Sequence, residues 1–518
     1  MSSFASWVQR HRFSWREFFI LVLIGALANV YFLTNYSPSI DDELAAVRSS
    51  SEVWISQGRF TIYLLETLLF PQASIPFSPY LFFVVMMALT QMLLVRAHGM
   101  MPSWRTNATF CLFITYPTWW LIEEFSANVP AIGVGFFLVA AAMLLQAEKQ
   151  VATWRHFSRP DAVRLLAIGL LLALSAGAYQ TLLVLFACAT IGMVLCRSIE
   201  STDLFSWRQT FSQMFFGALC VVIGAALYFV FNKLAMVMTN TPPDYIGSFI
   251  RLENLKAPYW LVGSIAMYAL HVYTGAAGMF GAAMPAAAVA LICAAVAVTR
   301  ARARTGVPHL LLFLVLLGAP FLLLLVTGPG LPLRAMVALP YIIWLSALLT
   351  LTFQRGAAWI VSLLVFAVFQ LQIINLTSQY IVTATMSQQQ DRAMGFEIGR
   401  RMLTLRGEDS VDKPIWLDTY GYDEQVSASL YARAETSTTS GSFFKWDFGN
   451  PVRISAYLRV LGFGPVRAVP PAMRSAFTKQ FEEMPVWPQE GALRRSGDVY
   501  LLKLGKTPGA VHGGSSNK

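Results

Sequence analysis

Long stretches of this chain carry no charge at all. Leu165 to Cys196 runs 32 residues without Asp, Glu, Lys or Arg, Ala257 to Thr299 runs 43, Thr305 to Leu333 runs 29, and Gly356 to Gln390 runs 35. About 20 apolar residues in a helix cross a hydrocarbon core of roughly 30 Å, so each stretch can span a bilayer. Inside lipid every backbone N–H and C=O must be bonded within its own segment, which makes helices the structures such stretches adopt. Only 13% of the 518 residues are charged, about half the share of a soluble domain, which excludes a simple soluble enzyme.

The apolar runs place helices near 18–36, 79–97, 106–122, 128–147, 165–179, 181–196, 211–232, 279–299, 309–327, 335–353 and 357–376. The expected fold class is therefore mainly α, a polytopic membrane bundle of about eleven spans. With residues 1–17 in the cytoplasm, 15 Lys/Arg fall in short inside segments and six outside, the usual positive-inside bias. The odd span count then puts the carboxy-terminal part on the other face. One helix over 165–196 would be about 48 Å long, so it is split at Gly177-Ala178-Tyr179-Gln180. One span there and two in the 43-residue run give the same total, but Tyr259 to Pro285, rich in Gly and aromatics with His271 among them, reads as interfacial. The expected domains are 18–376 in the membrane, a small extracytoplasmic α/β domain over 377–506, and a disordered tail over 507–518. In the second of these, 391–406 and 454–461 read as helices, and Ile415-Trp416-Leu417 and Val499 to Leu502 as strands.

Charge and cysteine usage narrow the function. The net charge is +10, with 21 Lys/Arg against 14 Asp/Glu up to residue 375 and 17 against 14 beyond it. An excess concentrated in the membrane part speaks for topology and contact with anionic lipids, and against nucleic acid. All five cysteines lie in apolar runs and none forms a CxxC, so disulfide frameworks and zinc sites are not expected. Phosphate-binding glycine loops, HExxH and GxSxG in a strand-turn-helix setting are absent.

Polar residues instead gather in the loops of one face. Asp41-Asp42-Glu43 follows the first span; Arg48, Trp54 and Arg59 share the same loop. An acidic run beside a membrane is otherwise a solvated turn, but this company suits transfer of a sugar from a phosphate-linked lipid. Asp41 or Asp42 can take the proton of an acceptor hydroxyl as general base. Arg59, with Arg334 of the Gly328–Arg334 loop and Arg48, can bind the departing phosphate through their guanidinium forks. Trp54 can stack on a sugar. Glu123 and Glu124, after Trp119-Trp120, can orient an acceptor or hold a divalent cation, and Tyr179-Gln180 forms a third outside corner. A solvated loop, a snorkelling arginine, an aromatic belt and a helix break are the respective structural alternatives.

In this order, Asp41-Asp42, Trp54 with Gly58-Arg59, Glu124-Phe125-Ser126, Tyr179-Gln180 and Pro332-Leu333-Arg334 resemble the O-antigen glucosyltransferases of the "glucosyl transferase II" kind. The tail resembles theirs in Ser442 to Arg453 and Met484 to Pro488. That family is similar to the C-type (GT-C) membrane glycosyltransferases. The resemblance implies inverting transfer of a hexose, glucose, from a polyprenyl-phosphate-sugar donor to a lipid-linked O-antigen or other surface polysaccharide on the periplasmic face of the bacterial inner membrane. It also implies a separate donor synthase and flippase as partners. The sequence departs from the pattern at Ala45, where an arginine is expected; Arg48 lies one turn on. A lipid-sugar transporter or flippase is the rival reading, but mid-span charge and matching halves are missing. A polysaccharide polymerase is not expected to carry the Asp-Asp pair.

Overall fold

The computed structural model describes residues 13–72, 74–148, 159–200, 205–242, 251–301, 306–407, 413–424, 431–434 and 441–508. The expected tail beyond 508, the first 12 residues and His156 lie outside them. Among the described residues, seven helices are long and apolar enough to cross a membrane: Ser78–Ala97, Ser126–Ala147, Pro160–Ala178, Leu182–Glu200, Trp207–Thr239, Gly306–Thr327 and Gly356–Arg406. Ala286–Ala301 and Leu339–Phe353 are shorter apolar helices. The protein is mainly helical, as the apolar runs require.

Packing separates these helices by environment. Leu182–Glu200 is 72% buried over its most apolar window, whereas Trp207–Thr239 is only 28% buried there despite equal apolarity. An apolar helix left so bare in a folded chain belongs against lipid. Leu339–Phe353 is buried on nearly every side, and its Tyr341 hydroxyl lies 2.8 Å from Nε2 of His98.

The break at 177–180 falls where the run was divided: one helix ends at Ala178 and the next starts at Leu182. Gly177 permits a close approach there, since a Cβ would sit 2.4 Å from the Phe60 ring. The expected span over 106–122 is shorter than drawn. Its helix stops at Thr115, because Pro117 keeps Tyr116 out of helical geometry (ψ 136°), and Trp120–Glu123 forms a separate short helix. Residues 258–273, read as interfacial, form a helix with Tyr259 and Trp260 exposed.

The 376/377 boundary lies inside a continuous 51-residue helix, Gly356–Arg406. Nothing in 377–390 breaks helical geometry, so the last apolar run and the segment 391–406 become one rod. Among the described residues after it come four strands, β1 (Ile415–Tyr420), β2 (Val466–Ala468), β3 (Leu493–Ser496) and β4 (Val499–Lys503), ordered β2-β1-β4-β3. β1 is parallel to β2 and β4; β3 and β4 form an antiparallel hairpin. The apolar cluster around this sheet includes Leu417, Tyr457 and Leu502, together with Ile40 from the first loop. Ile40 is 1% exposed, so the residue immediately before Asp41 is fixed by the carboxy-terminal segment.

Candidate functional site

The short helix Asp42–Val47 carries the acidic run, and its N-cap Asp41 sits at φ 83°. This left-handed conformation is uncommon outside glycine, although aspartate tolerates it better than most residues. The three acidic side chains divide between two sets of partners. Asp41 is about half exposed and pairs with Nη2 of Arg453 at 2.7 Å. Glu43 is buried and pairs with Nη1 of the same arginine at 2.6 Å. Asp42 turns away from both, towards the loop after Glu124.

Asp42 is held by three donors. The Ser126 hydroxyl donates to Oδ1 at 2.7 Å and the Ser126 amide to the same oxygen at 3.1 Å. The Ser39 amide donates to Oδ2 at 3.1 Å. Burial nevertheless dominates and pushes the carboxyl from 3.8 up to about 7, the serine donors pulling down and Glu43 adding to the rise. Such a group is half ionised near neutral pH, where a general base works best.

Asp42 and Ser126 line a small, open-sided pocket. Its other walls include Phe32, Tyr36, Ser74 and Tyr80. The Phe32 and Tyr80 rings of this lining stack 5.0 Å apart. The Tyr80 hydroxyl donates to the Glu123 carbonyl at 2.8 Å. Glu123 and Glu124 are both buried here, and burial raises the Glu123 carboxyl to about 8. Arg334 lies 5.0 Å above the Phe125 ring, one residue from Ser126.

A second cluster begins where the helix Asp42–Val47 ends. Arg48 grips Glu66 through Nε and Nη2, and the Trp54 indole N–H donates to Glu66 Oε2 at 2.7 Å. The buried Trp54 ring is flanked by the Arg48 and Arg59 guanidinium carbons at 4.9 and 5.9 Å. It therefore holds arginines in place and has no open face for a sugar. Arg59 also lies 5.1 Å from the Tyr179 ring, and its buried Nε has no hydrogen-bond partner among the described residues. Gln180 Nε2 donates to the carbonyls of Gln57 and Gly58 at 3.0 and 3.3 Å and to the Tyr228 hydroxyl at 3.1 Å. Tyr228 in turn donates to the Gly58 carbonyl at 3.0 Å. The 179–180 corner thus clamps the turn before Arg59.

The structure gathers the sequence-derived candidates into two adjoining groups. Asp42 lines the pocket, with Glu123 joined to it through the Tyr80 hydroxyl and Arg334 through Phe125 beside Ser126; Arg48, Trp54, Arg59, Tyr179 and Gln180 form the arginine cluster. Arg48 follows Asp42 by six positions, about 9 Å at 1.5 Å per residue. Asp41 stands apart from the pocket. Among the described residues no three His, Cys, Asp or Glu side chains form a cation site. Ser126, Glu66, Tyr228 and Arg453 complete the site without being singled out as site residues from sequence. A glutamate inside a helix and a tyrosine in an apolar run give no signal by spacing. Ser126 and Arg453 lay in stretches noted only for their resemblance.

No curated protein and no solved structure matches the chain. A family model described as glucosyl transferase GtrII matches residues 30–351, more than half of the sequence and the whole stretch from the first acidic loop past Arg334. The chain belongs to the glucosyl transferase GtrII family.

Proposed function

We propose that this glucosyltransferase moves glucose from a polyprenyl-phosphate donor to a lipid-linked O-antigen or related surface polysaccharide on the periplasmic face of the inner membrane. In this reading Asp42 is the general base and the anomeric configuration inverts. Asp42 accepts the proton of the acceptor hydroxyl as the oxygen attacks the anomeric carbon. The bond from that carbon to the phosphate oxygen breaks on the opposite face, and its electron pair leaves with the polyprenyl monophosphate. A phosphate monoester has a second pKa near 6, so it departs as an anion without a general acid. The proton on Asp42 then passes to water.

The observation that carries the assignment is the position of Asp42: buried, held by Ser126 and Ser39, and lining the pocket, while Asp41 is occupied by Arg453. Arg334 and Arg59 are assigned to the donor phosphate, Arg59 because its buried Nε still lacks an acceptor. Arg48 is committed to Glu66 and serves the donor by fixing Trp54 and Arg59. Glu123 and Glu124 border the acceptor side. A donor synthase and a flippase supply the lipid-linked sugar.

The test is transfer of labelled glucose from a polyprenyl-phosphate donor in membranes carrying Asp41→Asn or Asp42→Asn protein. The expected result is loss of transfer in Asp42→Asn, with Asp41→Asn retaining most of it. Full transfer by Asp42→Asn would end the assignment. Linkage analysis of surface polysaccharide from cells with and without the gene identifies the sugar and acceptor.

A further inference from the structure

Arg453 lies outside the 30–351 segment that matches the family, yet two of its three donor nitrogens engage acids of the first loop and the third an acid of its own segment. Nη1 meets Glu43 at 2.6 Å, Nη2 meets Asp41 at 2.7 Å, and Nε meets Asp447 at 2.6 Å. The arginine side chain is 12% exposed and Glu43 is fully buried, so the Arg453–Glu43 arm is an interior contact, while the Asp41 and Asp447 carboxylates are about half exposed. Asp41 and Glu43 are the two neighbours of Asp42 in sequence. A guanidinium holding both fixes the orientation of the peptide between them.

Two further observations place the same contact under mechanical control. The helix bearing Arg453, Pro451–Val460, packs directly on the helix Asp42–Val47, and Ile40 is buried in the apolar cluster of the carboxy-terminal segment. The loop is thus anchored immediately before and around Asp42 by a part of the chain more than 400 residues away. Asp447, the third acid on Arg453, sits at φ 49°, followed by Phe448 at φ 57°. Non-glycine residues hold such a backbone only where surrounding contacts impose it.

We propose that Arg453 is a positioning residue for glucosyl transfer: by clamping Asp41 and Glu43 it aims the Asp42 carboxylate at Ser126 and the pocket. The carboxy-terminal segment therefore completes the catalytic loop. This rests on reading Asp42 as the base.

The experiment measures kcat and KM for transfer from polyprenyl-phosphate glucose, on full-length protein in membranes, for Arg453→Gln, Arg453→Lys, the double variant Glu43→Gln/Arg453→Gln, and Asp42→Asn. Misplacing a catalytic group by about 1 Å costs roughly 100-fold. Arg453→Gln should lose between about 10- and 100-fold in kcat with donor KM within about threefold, and Arg453→Lys should recover part of the loss. The single Gln variant leaves Glu43 buried without a counter-charge and could fail to fold. The double variant removes that charge; it should insert and melt like the parent while staying slow. A double variant with parental kcat would overturn the proposal, because Arg453 would then only neutralise Glu43. Parental kcat in Arg453→Gln beside an inactive Asp42→Asn would also overturn it while sparing the base. An active Asp42→Asn would reject the base itself, whatever Arg453 does.

Discussion

Asp42 accepts the Ser126 hydroxyl at 2.7 Å across 84 residues of sequence. That bond ties the first acidic loop to the loop between two apolar helices, and it stabilises the ionised form of a carboxylate that burial disfavours. Removing the hydroxyl in Ser126→Ala should raise the Asp42 carboxyl further. One hydrogen bond to a charged group is worth about 1.5–3 kcal/mol, of which the remaining Ser126 amide retains part. The expected outcome is a shift of the acid limb of kcat by about one pH unit upward. A pH–rate profile in which Ser126→Ala and parent coincide would count against this.

The parent enzyme itself should lose activity as pH falls through about 7, because the base must be deprotonated and Asp42 is pushed up to about 7. Transfer should reach a plateau about one unit above that value. A flat kcat between pH 5.5 and 8 on this order of resolution would be incompatible with Asp42 as base.

Asp42→Asn should separate function from stability. A carboxyl raised from 3.8 to about 7 by the fold costs about 4 kcal/mol when ionised. The folded state binds the proton more tightly than the unfolded state, so this cost is absent below pH 4 or so, grows as pH rises, and is complete above about 7. The amide removes it but cannot accept from the Ser39 N–H with its own NH₂ group, which returns part of the gain. Net stabilisation of about 1–2 kcal/mol is expected above pH 7, shrinking towards pH 4. Thermal unfolding in detergent across that range measures it, alongside a loss of transfer of at least about 100-fold.

Glu66→Gln should weaken the arginine cluster. Glu66 accepts from Arg48 and from the Trp54 indole, and the neutral amide leaves the Arg48 charge unpaired in a half-buried site. The expected cost is about 1–3 kcal/mol of stability, with a higher KM for donor because Trp54 no longer holds Arg59. Unchanged donor KM would separate this cluster from donor binding.

Arg334→Ala should raise donor KM about tenfold without moving the acid limb, since one charge-assisted contact to phosphate is worth roughly 1.5–3 kcal/mol and the residue lies on Phe125, not on Asp42. Arg334→Lys should restore only part of it, lacking the fork. A displaced acid limb would mean that Arg334 acts on the base.

The helices and the site were legible to different depths. Uncharged runs of 29 to 43 residues dictate helices by themselves, since lipid leaves the backbone no other partner. Gly177 and Tyr179-Gln180 marked the helix break, whereas the span drawn over 106–122 passed over Pro117, which ends the helix at Thr115. The turn chemistry is local, so sequence carries it. The same holds for the acidic loop as a collection of residue types.

What each acid does was decided only by tertiary structure. Asp41, Asp42 and Glu43 are adjacent carboxylates of nearly equal intrinsic acidity; burial, Ser126 and Arg453 make one a pocket-lining group and the others a clamp. Trp54 similarly changed from an open aromatic face to a buried support once Glu66 and two arginines surrounded it. Composition and period fix how a segment bonds its own backbone, because those bonds run within the segment. Charge partners and desolvation come from segments 84 and 410 residues away, and no local pattern encodes which distant side chain will arrive.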